Sequence, residues 1–232
     1  MALKREKLNG SIDQRSVRAV CDLLKKEYGV PRLGNPRDSI DDFVYIVLSN
    51  KTSSFTSARV YGELKKTYPT WESVLTQPLR KLSKIIGPAG LGAIKASQIR
   101  KAFGKIKRDF GEISLAKLKL RGEQETLSYL RSLPGVSDKV ARCIMIYTMG
   151  AQLLPVDVHV HRITVRLGWT SRKRADQCHD ELEAIVAPEL RYAFHVDCIV
   201  HGRQVCRPVS PICESCCIRK HCAYFAQARK ES

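Results

Sequence analysis

Apolar residues recur at three- and four-residue spacing through most of the chain, which is the period of an amphipathic helix. From Ile12, the positions Val17, Val20, Cys21, Leu24 and Tyr28 share one face. Ser11 and Gln14 read as a capping box before them, and Gly29 ends the helix. Leu33 to Arg37, with Gly34 and Pro36, reads as a linker. A second helix is expected through Phe43, Ile46 and Val47, capped by Ser39 with Asp42. Thr56–Tyr68 is a third, and Trp71–Ile86 holds one or two short ones before Gly87-Pro88-Ala89-Gly90 breaks the chain. Lys95–Phe110 is helical, with its lysines and arginines on the polar face. Gln124–Ser132, Lys139–Met149, His159–Leu167 and Cys178–Val186 complete the set. No strong alternating stretch suggests a sheet, and no repeat of fixed period is present. The expected class is all-α.

Charge narrows the choice of partner. Forty Lys and Arg against 23 Asp and Glu leave +17 over 232 residues, which favours a polyanion, nucleic acid before an anionic membrane surface. No run of about 18 apolar residues exists to span a bilayer. No apolar stretch follows Lys4, Arg5 and Lys7, so no export signal is read. The expected compartment is the one that holds the chromosome: cytoplasm and nucleoid in a prokaryote, nucleus otherwise. Nine cysteines in a chain read as intracellular point to metal ligation or catalysis rather than a disulfide framework.

Two segments can carry chemistry. Leu133-Pro-Gly-Val-Ser-Asp-Lys-Val-Ala141 joins two helical patterns by a short turn. Such a turn either redirects the chain or presents the amides of Gly135, Val136 and Ser137, with the positive end of a helix dipole, to a DNA phosphate. The net charge favours the phosphate. Lys139 falls in the first turn of the second helix, where the dipole disfavours a cation and eases loss of its proton, as a nucleophilic amine needs. Asp157, in Leu154-Pro-Val-Asp-Val-His-Val-His161, precedes a helical pattern and suits an N-cap; a capping carboxylate is also fixed and ionised. His159 and His161 are two residues apart and face different sides, so they read as structural or DNA-facing rather than as a zinc pair.

Near the C-terminus, Cys206, Cys213, Cys216 and Cys222 are spaced by six, two and five residues in a loop with Pro208 and Pro211. Close thiolates repel unless a metal holds them, so a structural zinc and an iron–sulfur cluster are the candidates. Cys217 points elsewhere, and Cys21, Cys143, Cys178 and Cys198 sit among apolar neighbours and read as core.

Taken together these residues resemble the endonuclease III family of helix-hairpin-helix DNA glycosylases, over about Ile40 to Tyr224. His201-Gly-Arg before the cysteine spacing, and LPGVxxK followed eighteen residues later by the Asp of VDxHVxR, carry the resemblance. The stretch RITVRLGW also looks like the plant demethylating glycosylases. The resemblance implies a two-domain helix-hairpin-helix glycosylase fold with an iron–sulfur cluster loop. Residues 33–151 would form the central helical domain with the hairpin, and 1–32 plus 152–232 the cluster-bearing domain. It implies Lys139 as the nucleophile at C1′ of a damaged nucleotide, Asp157 as its partner, and Cys206, Cys213, Cys216 and Cys222 as ligands of a [4Fe–4S] cluster. It implies Leu91, in Gly90-Leu91-Gly92, as the side chain that wedges into the duplex. DNA contacts are implied at Asn50, Lys51, Gly135, Val136, Ser137 and His159.

The chain departs from the family pattern in three places. The loop whose glutamine enters the gap left by the flipped nucleotide reads Leu48-Ser-Asn-Lys-Thr52, with Lys51 where glutamine is expected. Ser54 stands in place of an aspartate, and Ser137 replaces the second hairpin glycine, where loss of a positive φ would weaken one phosphate contact. The expected activity is a bifunctional DNA glycosylase/AP lyase acting on duplex DNA with a damaged base or abasic site, as a monomer. The alternatives are a lyase acting mainly on abasic sites and a non-catalytic lesion-sensing module.

Overall fold

The computed structural model describes residues 12–50 and 52–229. Lys51 and Ser11 lie outside the described residues. Among those described, every regular element is helical, and the chain divides into two compact units, 34–151 and 1–33 with 152–232.

In the first unit, α2 (Ser39–Ser49) is buried on nearly every side, through Ile40, Phe43, Val44, Tyr45, Ile46, Val47 and Leu48. It packs on α3 (Ser54–Thr67), α6 (Gly92–Phe110) and α8 (Asp138–Thr148); the short α4 (Ser73–Thr76) and α5 (Leu79–Ile86) lie on α6, and α7 (Glu123–Arg131) on α8. The rings of Phe43 and Trp71 both meet Phe103 of α6, at 6.1 and 5.5 Å between centroids. The cap of α2 differs from expectation. Asp38, not Ser39, accepts from the amides of Ile40 and Asp41. Ser39 is the first helical residue, and its hydroxyl donates instead to Thr148 Oγ1 at 2.9 Å, tying α2 to α8.

The second unit is built on α1 (Gln14–Tyr28), α9 (Val158–Leu167) and α11 (Arg191–Gln204), with the shorter α10 (His179–Ile185) and α12 (Ala223–Ala228). Its core joins Val17, Val20 and Leu24 to Val160, Ile163, Phe194 and Cys198, with Trp169 stacked on Phe194. The cap of α1 is Asp13, which accepts from Arg15 and Ser16, and Gly29 closes the helix at φ +69°. Cys21, Cys178 and Cys198 are core residues here, as Cys143 is in the first unit.

The apolar pattern does not predict α11, because three of its inward positions are polar. His195 bonds the Pro155 carbonyl through Nδ1 (2.9 Å). Asp197 accepts from the Val30 amide (3.2 Å), and His201 bonds the Tyr28 hydroxyl through Nδ1 (2.8 Å). Each of these residues bonds another segment through one atom, with Asp197 Oδ2 left without a partner, so the helix is amphipathic in packing but not in letters.

Candidate functional site

The hairpin turn between α7 and α8 is made by Gly135 at φ +84°. A side chain there would be disfavoured twice, because a Cβ would also meet the Gln98 side chain of α6 at 2.8 Å. Ser137 sits at φ −80°, ψ 170°, an extended conformation that any residue adopts. The expectation that serine weakens this turn by failing to reach positive φ is therefore corrected. Ser137 is the N-cap of α8, and its hydroxyl accepts from the Val140 amide at 3.4 Å. The three hairpin amides are not equivalent. Val136 donates to the Leu133 carbonyl within the turn, and its side chain is buried. The amides of Gly135 and Ser137 have no protein acceptor among the described residues, which leaves these two for an anion.

Lys139 is the second residue of α8 and is half-buried. Its charge is felt by Asp42 on the neighbouring α2. Asp42 is fully buried, accepts from Asn35 Nδ2 at 2.6 Å, and has its second oxygen without a partner. Burial pushes its carboxyl up to about 7, against the opposing pull of Asn35 and Lys139. On the other side of the helix start, Asp138 holds Arg142 at 2.9 Å and also pairs with Arg131.

Leu91 occupies the left-handed region (φ 53°, ψ 36°) as the N-cap of α6, and its side chain is 55% exposed. A strained, exposed leucine in a tight turn fits a residue built to enter something else. Asn50 ends α2 and is exposed. The two segments are joined by Lys95, which the sequence pattern assigns to the polar face of α6. The structure corrects this. Lys95 is 4% exposed, and its ammonium donates to the carbonyls of Leu48 (2.8 Å), Asn50 (3.0 Å) and Ala89 (2.8 Å) and to Thr52 Oγ1 (3.2 Å). The spacing carries the signal: positions 95, 99, 102, 103 and 106 form one stripe, buried throughout.

In the other unit, Asp157 is the N-cap of α9, as its position implies. Its Oδ1 accepts both the His159 amide (2.8 Å) and the Val160 amide (2.9 Å), so Oδ2 takes no part in the cap. His159 is half-buried against α11, where a Cβ on Gly202 would meet its Nδ1 at 2.6 Å. Burial, reinforced by Arg162 and Arg203, lowers its pKa, and the neutral Nδ1 accepts from Arg162 Nη2 at 3.1 Å. His161 turns outward to the Arg172 carbonyl.

Cys206, Cys213, Cys216 and Cys222 line one cavity with Ile163, Leu167 and Ile218, and Cys217 is not among its walls. None is in a disulfide. Two donors address the sulfurs. Arg166 Nη1 lies 3.1 Å from Cys206 Sγ while also bonding the Arg207 carbonyl. His201 Nε2 lies 3.5 Å from Cys216 Sγ. Burial holds His201 down at about 4, so the ring is neutral. The Tyr28 hydroxyl at Nδ1 and the Cys216 sulfur at Nε2 thus occupy the two nitrogens of a neutral ring. Burial and the neighbouring sulfurs push Cys216 up to about 12. Thiols so disposed are costly to ionise unless a cation is bound. Among the described residues no three ligand side chains converge on a single-ion position. Four thiols spread around one apolar cavity, two of them approached by nitrogens of Arg166 and His201, fit an iron–sulfur cluster.

Comparisons with known proteins identify the family and the fold. The family described as HhH-GPD superfamily base excision DNA repair protein matches residues 44–188. The endonuclease III of Thermotoga maritima is 26% identical over 202 residues, covering 86% of this chain and 90% of that one. A solved non-covalent endonuclease III–DNA complex superposes with a TM-score of 0.83 at 23% identity, over 95% of this chain and all of that one. A trapped endonuclease III–DNA covalent intermediate gives the same TM-score at 24% identity, over 94% of this chain and all of that one. The chain belongs to the HhH-GPD superfamily of base excision DNA repair proteins and is endonuclease III-like.

Proposed function

We propose that the protein is a bifunctional DNA glycosylase/AP lyase in which Lys139 is the nucleophile and Asp157 its acidic partner. The observation that carries this is Lys139 in the first turn of α8, directly behind a hairpin whose Gly135 and Ser137 amides are open to a phosphate. Gly135, Val136 and Ser137 would hold the backbone of the bound strand, with Asn50, Lys51, Leu91 and His159 as further DNA contacts. Leu91 would enter the duplex as the target nucleotide leaves the stack, at a cost of a few kcal/mol of unstacking.

The neutral Lys139 amine attacks C1′, and the glycosidic electron pair leaves with the base. Asp157, fixed by its cap, takes up or balances the proton that the amine must lose. Opening of the sugar ring gives a protonated Schiff base between Nζ and C1′. Loss of a C2′ proton and expulsion of the 3′ phosphate then break the strand, and water releases the enzyme. The four cysteines would hold a [4Fe–4S] cluster that fixes the basic C-terminal loop, with Arg207, Arg219 and Lys220, and Arg203 at the end of α11, against the backbone; it enters no step.

Borohydride should trap a covalent protein–DNA adduct on an abasic duplex, and Lys139→Ala should abolish it. Equal trapping by that variant would sink the assignment. Lys51 motivates a second reading, in which base removal is slow and abasic sites are the substrate. An incision panel of oxidised-pyrimidine, mismatched, alkylated and abasic duplexes separates the two. Rapid release of any damaged base rejects the lyase-only form. Purified protein should be yellow-brown; colourless protein with one zinc per chain would overturn the cluster.

A further inference from the structure

Lys95 is an expensive residue. It lies in the first turn of α6, where the helix dipole opposes a cation, and it is buried, which lowers its pKa. Its acceptors are four neutral oxygens. These come from two segments about forty residues apart in sequence. Leu48, Asn50 and Thr52 belong to the end of α2 and the turn after it; Ala89 belongs to the turn before α6. Thr52 Oγ1 adds a direct bond across the same junction by donating to the Ala89 carbonyl. The second turn is held tightly from its other side as well, since a Cβ on Gly92 would meet the Ser83 carbonyl at 2.7 Å and Gly87 Cα at 2.9 Å. The strained Leu91 is thus clamped between close backbone packing and the Lys95 junction, and the Lys95 amide donates back to the Leu91 carbonyl at 2.9 Å.

An apolar side chain at this position would fill the same space without the desolvation cost. What only an ammonium supplies is a bond to both turns at once. We propose that Lys95 is the positioning residue for nucleotide extrusion: its ammonium pins Leu48, Asn50 and Thr52 to the Leu91 turn, so that the two segments enter the duplex as one rigid wedge. This rests on the DNA-processing reading above. Lys95 touches no substrate; it sets the spacing of the residues that do.

The experiment compares borohydride trapping on an abasic site in a duplex with the same site in a single strand, where no nucleotide has to be forced from a stack. A 2-aminopurine beside the abasic site in the duplex reports unstacking independently of the chemistry. Lys95→Met should slow duplex trapping about 100-fold, as a misplacement of about 1 Å would. It should also abolish the fluorescence rise, while single-strand trapping stays within about threefold of wild type. Thr52→Val, which leaves the buried lysine in place, should show the same selectivity at roughly tenfold, and it carries the test where Lys95→Met fails to fold. Equal losses on both substrates, or an unchanged duplex rate, would overturn the proposal. Wild-type protein that traps neither substrate would instead overturn the Lys139 reading, and this inference with it.

Discussion

At the scale of single residues, Asp157 of the proposed chemistry and Asp42, which feels the charge of Lys139, sit in opposite surroundings. Asp157 accepts two backbone amides through one oxygen, whereas Asp42 is buried with one oxygen unpartnered. Asparagine caps a helix about as well as aspartate. Asp157→Asn should therefore leave stability within about 0.5 kcal/mol of wild type by thermal or urea unfolding. The same variant should slow trapping about 10²–10⁴-fold, the range of positioned acid–base groups, and unimpaired trapping would remove Asp157 from the mechanism. Asp42 makes the converse prediction. Its carboxyl titrates near 7 in the folded chain, above its ordinary 3.8, so between these values the folded state holds a proton that the unfolded state has released. Stability attributable to this group is full below pH 3.8 and is lost as pH rises through 7. Asp42→Asn keeps an acceptor for Asn35 and carries no charge. It should match wild type at about pH 4 and exceed it by on the order of 4 kcal/mol at about pH 8, read from urea midpoints. A variant less stable at the higher pH would mean that the Asp42 anion is compensated by its surroundings.

At the scale of elements, the hairpin works by dividing labour among adjacent residues. Gly135 supplies the positive φ and the close approach to Gln98, Val136 anchors the turn in the core, and Ser137 caps α8. Ser137→Gly should thus cost only a few tenths of a kcal/mol and leave DNA affinity unchanged, since its φ of −80° needs no glycine. A roughly tenfold gain in affinity from that substitution would show the serine side chain obstructing a phosphate. The same division explains what the sequence can and cannot reveal. Helices with a continuous apolar stripe, such as α1 and α8, are legible from spacing alone, and the Lys139 and Asp157 positions follow from the helix starts they occupy. The cap of α2 is ambiguous by one residue because Asp38 and Ser39 are both good caps, and only the tertiary bond from Ser39 to Thr148 decides between them. The helix α11 is hidden because His195, Asp197 and His201 interrupt its stripe, each bonded to a segment far away in sequence. Lys95 misleads for the mirror-image reason: a charged letter in a buried row has meaning only once the carbonyls from two other turns surround it.

At the scale of the whole molecule, the excess of positive charge governs association rather than chemistry. A net +17 on 232 residues exceeds what the hairpin and the cysteine loop would use, so the rest supplies a sequence-independent attraction to the duplex. Each phosphate neutralised releases counterions and adds about 0.9 to the slope of log K against log salt. With about 6–10 phosphates neutralised, affinity should fall roughly 10³–10⁵-fold between about 50 and 200 mM salt. The hairpin belongs to a different class, because neutral amides and a helix end would hold its phosphate. Replacing Lys220 or Arg207 of the basic loop by alanine should lower the slope by about 1 for each phosphate that is no longer neutralised. Gly135→Ala, which closes the turn sterically, should instead weaken binding by a similar factor at every salt concentration. Filter binding across a salt series distinguishes the two, since parallel lines mark removal of a neutral partner and converging lines removal of a charged one. If the Gly135→Ala and wild-type lines converge at high salt, the hairpin acts through charge and its amides are not the phosphate site.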